Sequence, residues 1–293
     1  MTKLLKELNA KNLIHPPAFL IDNTCYLVQM GSVAYGVEGE TSDCDLYGIC
    51  IPNKDIMFPH LRGEIPGFGS QIQRFEQWQE HHIKDQDSGR EYDFSIYSII
   101  KYFHLCMENN PNIIDSLFVP QRCILYSSKI GNHIRENRRH FLHKGAWHKF
   151  KGYSYSQLHK MSSKISVGKR KLLVDKYGYD VKFAYHVVRL LQEVEQILIE
   201  GDLNLERNSE QLKSIRRGEW TETQIRDWFQ TKEKDLESAY VNSKLQHRPD
   251  EEKIKNLLLE CLEMHWSDTR DIVVRVDKYV QAVKDIQTII GRL

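Results

Sequence analysis

The chain has 293 residues, 41% hydrophobic and 28% charged, with 41 basic side chains against 40 acidic ones. This is ordinary globular composition, long enough for about two domains at roughly 150 residues each, and it excludes disordered, collagen-like and low-complexity classes. Because the charges nearly cancel, affinity for a polyanion has to come from local patches.

The six cysteines, at positions 25, 44, 50, 106, 123 and 261, form no CxxC pair and no Cys/His cluster at zinc spacing. A chain of this length needs no disulfide to fold, so buried free thiols in a reducing compartment are expected. The first residues, MTKLLKELNAKNLIHPP, lack the apolar stretch of a signal peptide. No apolar run approaches the ~20 residues of a membrane span, and a cytoplasmic location is expected.

Leu4, Leu5 and Leu8 predict a short helix ended by Pro16–Pro17. Cys25–Met30 reads as a strand stopped by Gly31, and Asp45–Ile51 as a second strand ended by Pro52. From Asn53 to Gly89 the chain is polar and rich in Pro and Gly, which predicts a loop with one short strand near Ile72–Phe75. His81–His82 with Asp85 and Asp87 lies in that loop at no recognisable metal-ligand spacing. Arg90–Ile96 predicts a third strand, followed by an apolar helix that reaches Cys106 before Asn110–Pro111. Pro111 limits that helix, and Asp115 is expected to cap or to pair across a domain interface. Beyond residue 130 helical periods dominate, over Val181–Ile199, Thr221–Leu245, Asp250–Trp266 and Val273–Ile290. The reading is therefore an α/β half, 1–130, and an all-helical half, 131–293, with the boundary near residues 127–145.

The chemistry concentrates in Gly31-Ser-Val-Ala-Tyr-Gly-Val-Glu-Gly-Glu-Thr-Ser-Asp-Cys-Asp-Leu46. On a strand Asp43 and Asp45 share a face while Cys44 points the other way. Adjacent carboxylates repel, and a hard divalent cation such as Mg²⁺ is their natural partner. Gly31 lets backbone approach a phosphate closely, and Ser32 can donate to its oxygen. A Gly–Ser alone is an ordinary tight turn, and a lone Asp-x-Asp an ordinary solvated strand end. In this order, with strands on both sides, they are equipment for phosphoryl or nucleotidyl transfer.

Met30-Gly31-Ser32 followed by Asp43-Cys44-Asp45-Leu46 resembles the signature of the DNA polymerase β-like nucleotidyltransferase superfamily. Gly31-Ser-Val-Ala-Tyr-Gly36, Asn110-Pro-Asn-Ile-Ile-Asp115, Lys182-Phe-Ala-Tyr-His-Val-Val-Arg-Leu190 and Ile215-Arg-Arg-Gly-Glu-Trp220 narrow the resemblance to a bacterial and phage group with RNA-ligase-associated members. It implies an α/β (α+β) catalytic core with a C-terminal all-helical domain. The implied reaction moves an NMP from an NTP to an acceptor hydroxyl with Mg²⁺ or Mn²⁺. The resemblance calls for a third carboxylate on a neighbouring strand. Asp93 is the candidate and Glu91, on the same face, the alternative; a strand Asp not recruited to metal would be a helix N-cap. In this scheme Asp43, Asp45 and Asp93 are the metal ligands, Asp93 also being the general base, and Gly31, Ser32 and Tyr35 hold the nucleotide.

Lys182, His186 and Arg189 follow at i, i+4 and i+7 on one helix face. They read either as a solvated basic stripe or, following the resemblance, as a nucleotide-binding face toward the triphosphate. Tyr179 and Tyr185 could stack on a base or pack in the core. Between Arg135 and Lys176 twelve basic residues face only Glu136 and Asp175, with Trp147, Phe150, Tyr153 and Tyr155 interleaved. This mixture suits a single-stranded nucleic acid, with Lys149, Lys151, Tyr153, Lys160, Lys169 and Arg170 as contact candidates, or it is a solvated face. The acceptor expected is an RNA 3′ end, in end repair or tRNA maturation. The alternatives are a protein or small-nucleotide acceptor, and a non-catalytic nucleotide- or RNA-binding module.

Overall fold

The computed structural model describes residues 2–37, 44–71, 73–163, 168–266 and 290. Asp43 and the helix expected over Val273–Ile290 (apart from Ile290 itself) lie outside the described residues, as does the side chain of Lys169. Five strands form one sheet in the order β3-β4-β2-β1-β5. They are β1 (Thr24–Gln29), β2 (Cys44–Cys50), β3 (Gln77–Asp85), β4 (Arg90–Ser98) and β5 (Ile124–Ser127). β2 and β4 run parallel, and the other neighbours are antiparallel.

Alternation along the strands divides the core in two. One face buries Leu27, Leu46, Phe94 and Ile96 beneath Leu5 and Leu8 of α1 (Lys3–Ala10). Short helices α2 (Leu20–Asn23) and α3 (Lys54–Met57) flank the sheet. The other face, carrying Val28, Ile49 and Tyr97, joins the larger core that runs into the helical half. There, α4 (Ile99–Met107), α5 (Pro111–Phe118) and α6 (Lys129–Glu136) lead to α7 (Ala146–Ser163), α8 (Lys169–Tyr177) and α9 (Val181–Glu200). α7, α10 (Ser209–Arg216) and α11 (Glu222–Asn242) pack along α9, and α12 (Glu251–Trp266) packs on α4 and α6. α9 buries nearly its whole circumference, which makes it the axis of this half. Each of the six cysteines is free and buried. Among the described residues no helix is long and apolar enough to cross a membrane.

The loop expected over Asn53–Gly89 needs correction. Its second part is the nine-residue edge strand β3, whereas Gln73–Phe75 is not strand and Ile72 lies outside the described residues. On β3 only Trp78, Ile83 and Asp85 are buried, because a bulge at His81–His82 interrupts the alternation. β4 runs past the expected end at Ile96 to Ser98. Ser98 caps α4 by accepting from the Lys101 amide, so the helix follows the strand without a loop.

Candidate active site

β1 ends at Gln29, and the chain turns through one 3₁₀ turn, Gly31–Val33, held by the Ala34 amide on the Gly31 carbonyl. Gly31 has φ +73°, and a Cβ there would overlap the Asp45 carboxylate. Only glycine meets both conditions. The Met30 amide donates to the Asp45 carbonyl at 2.7 Å, which fixes the turn against β2.

Asp45 and Asp93 are direct partners in the parallel β2–β4 ladder. Neighbouring strands lie about 4.8 Å apart, so the two side chains stand next to each other on one face. Both are partly exposed. The N-cap alternative for Asp93 does not hold: Asp93 is in mid-strand, and Ser98 is the cap. Oδ1 of Asp93 accepts from the His82 amide at 2.7 Å and lies 3.6 Å from His81 Nδ1. Glu91, the alternative, is 2.8 Å from His82 Nδ1. Two hard carboxylates on one face suit Mg²⁺ or Mn²⁺. Among the described residues no group of three or more His, Cys, Asp or Glu is arranged to hold a metal.

The rest of the glycine turn is gripped by residues later in the chain. Arg122 donates to the Val33 carbonyl at 2.8 Å, and Arg216 of α10 donates to that of Val37. Tyr35 is buried, and its hydroxyl donates to Asp115 of α5 at 2.8 Å. Arg189 of α9 lies 4.1 Å from the Tyr35 ring centre and donates to Asp115 at 2.6 Å and Glu193 at 3.1 Å. Burial raises the pKa of both carboxylates, most for Glu193, against the pull of Arg189. One guanidinium shared by two buried acids does not fully offset the cost of burying both charges. Tyr35 and Arg189 thus lock the turn from behind. Asp115 of α5 thus pairs with Arg189 of α9, on the far side of the boundary expected near residues 127–145.

The Lys182–His186–Arg189 face is graded rather than uniform. Lys182 is exposed, His186 half-buried and Arg189 buried. Burial, then Arg189, Arg170, Arg216 and Lys182, push His186 down to about 3, so the imidazole is neutral in a cationic setting. Tyr179 and Tyr185 are core residues; the Tyr179 hydroxyl donates to the Trp220 carbonyl at 2.6 Å.

The basic tract is also altered by folding. Lys149 pairs with Glu108 at 3.0 Å, Lys151 with Glu233 at 2.6 Å and Glu237 at 3.0 Å, and Arg170 with Asp180 at 2.9 Å. Trp147 and Phe150 are buried. Tyr153 and Lys160 remain exposed on α7, where the Tyr153 hydroxyl accepts from Asn110 at 3.3 Å. Folding thus brings carboxylates to Arg139, Lys149, Lys151 and Arg170 of the tract. Sequence reasoning also missed Arg122, Glu193 and the His81–His82 bulge. The i, i+4 spacing from Arg189 was a usable signal for Glu193.

Residues 3–265 match the RNA repair pathway DNA polymerase beta family. The chain belongs to this family. Membership places it in the polymerase β-like nucleotidyltransferase superfamily, with a nucleotidyltransferase-type catalytic fold. Among solved structures, a nucleotidyltransferase-like protein from Exiguobacterium sibiricum 255-15 aligns over 92% of this chain and 76% of its own, at 10% identity and a TM-score of 0.30. No curated protein matches the chain.

Proposed function

We propose that this family member is a Mg²⁺-dependent nucleotidyltransferase that moves an NMP from an NTP to the 3′ hydroxyl of an RNA, in end repair or tRNA maturation. The observation that carries the proposal is the in-register Asp45–Asp93 pair beside a glycine turn that tolerates no Cβ. Asp45 and Asp93, with Asp43, would hold Mg²⁺ or Mn²⁺; when bound, the metal supplies Lewis-acid stabilisation of the phosphates. The Gly31–Ser32 backbone approaches the triphosphate, and Lys182 with the neutral His186 faces its outer charge. Asp93 takes the proton of the acceptor hydroxyl, whose oxygen bonds to the α-phosphorus as pyrophosphate leaves. Residues 1–130 form the catalytic domain in this scheme, and 131–293 the substrate-binding domain. The family's description as an RNA repair pathway supports the RNA acceptor.

The ion pairs that counter Lys149, Lys151 and Arg170 favour a second reading, in which the acceptor is a protein side chain or a small nucleotide. Incubation with Mg²⁺, each α-³²P-labelled NTP, total RNA and total protein separates the two. RNase-sensitive label supports the first reading, and label in protein bands the second. Transfer by Asp43→Asn with Asp45→Asn at the wild-type rate would refute both.

A further inference from the structure

β3 lies at the sheet edge and pairs antiparallel with β4. Glu80 opposes Phe94 and Ile83 opposes Tyr92, so His81 and His82 are inserted at the level of Asp93. The insertion is a β-bulge, the device that redirects a group where regular pairing cannot. His82 has φ +58°, a left-handed conformation that strains a side-chain-bearing residue.

The His82 amide donates to Oδ1 of Asp93 at 2.7 Å. His81 Nδ1 lies 3.6 Å from the same oxygen. The His82 ring is 2.8 Å from Glu91, the other carboxylate on this face of β4. Both contacts to Asp93 thus fall on Oδ1. A regular strand would commit its amides to strand geometry. The bulge therefore converts a backbone donor into a carboxylate clamp.

We propose that the His81–His82 bulge is a positioning device for Asp93. It binds Oδ1 through the His82 amide, fixes the carboxylate rotamer and leaves Oδ2 to act with Asp45. The inference rests on the reading of Asp93 as the third metal-binding carboxylate. His82 acts through its backbone amide, while its imidazole contacts Glu91 at 2.8 Å. Outer contacts of this kind typically change metal affinity or activity by about 10–100-fold.

The test is Mn²⁺ titration of the full chain, followed by water-proton relaxation, with folding checked by circular dichroism and thermal melting. Deleting His82 shortens the insertion opposite Asp93 and removes the donor. It is expected to weaken Mn²⁺ binding about 10–100-fold, as Asp93→Asn does. His82→Gly keeps the amide and suits the positive φ, so it should bind Mn²⁺ within about twofold of wild type. In turnover, the deletion should lower kcat while leaving KM for the NTP unchanged. Should the deletion fail to fold, an ester in place of the His82 amide removes only the donor and is expected to give the same loss. Wild-type Mn²⁺ affinity in the folded deletion or the ester variant, with Asp93→Asn impaired, would overturn the clamp and leave the role of Asp93 standing. Wild-type affinity in both Asp45→Asn and Asp93→Asn would overturn the underlying reading and the clamp with it.

Discussion

Gly31→Ala separates a backbone effect from a contact effect at the centre of the site. Gly31 has φ +73°, and a Cβ there meets the Asp45 carboxylate. Gly63 has φ +83° and nothing within 4 Å of the same added atom. Both Ala variants carry the left-handed penalty of about 1–2 kcal/mol. Gly31→Ala also has to move the Asp45 carboxylate aside, which adds about 1–3 kcal/mol. Against a net stability on the order of 5–15 kcal/mol, both variants remain folded. Catalysis is less tolerant, since misplacing a reacting group by about 1 Å costs on the order of 10²-fold. Gly31→Ala should therefore lose about 10²-fold in initial rate of α-³²P transfer, while Gly63→Ala keeps wild-type activity. Urea melts followed by tryptophan fluorescence give the stability of each. A Gly31→Ala rate within about threefold of wild type, or an equal loss in Gly63→Ala, would refute the reasoning.

Arg189→Met leaves Asp115 and Glu193 buried without their cation and should cost about 3–5 kcal/mol in urea melts at neutral pH. Burial raises both carboxylates, so the folded state binds more protons than the unfolded one and stability falls as pH rises from the ordinary carboxylate range toward the raised folded values; melts of the variant should gain stability as pH is lowered toward the ordinary carboxylate range. His186 shifts the opposite way, to about 3, so its contribution is present above the ordinary histidine range and is lost as pH falls from about 6.5 toward 3. His186→Gln should flatten that acid limb relative to wild type in melts across the same range. Thr221→Ala removes one side of a capping box with Gln224 on α11 and should lower stability by about 1 kcal/mol, measured by thermal melting.

The glycine turn and both flanking strands were legible because the chemistry of close approach and alternation is local. β1, β2 and β4 follow from short apolar runs bounded by Gly or Pro, and α9 from a long helical period closed by Gly201. β3 was not legible. Its exposed face reads as Gln77, Gln79 and His81, like a polar loop, and the bulge breaks the period that would have marked it. The pairing within the basic tract was not legible for a different reason: the countercharges Glu108, Glu233 and Glu237 lie far away in sequence and arrive only through packing. Arg189 looked like a ligand-facing cation because i+7 spacing places it on the Lys182 face. The helix is buried so deeply that the face dips from solvent at Lys182 into the core at Arg189.

The three arginines that hold the glycine turn sit at positions 122, 189 and 216, well behind Gly31 in the chain. During synthesis the turn and the strands around it emerge first and wait for their clamps. Arg122 arrives while the sheet is still acquiring β5, Arg189 only with the central helix, and Arg216 later still. A nascent chain cut short near the end of the sheet would carry the glycine signature without the framework that orders it. The turn therefore has its full set of arginine contacts only once the chain has been made through Arg216.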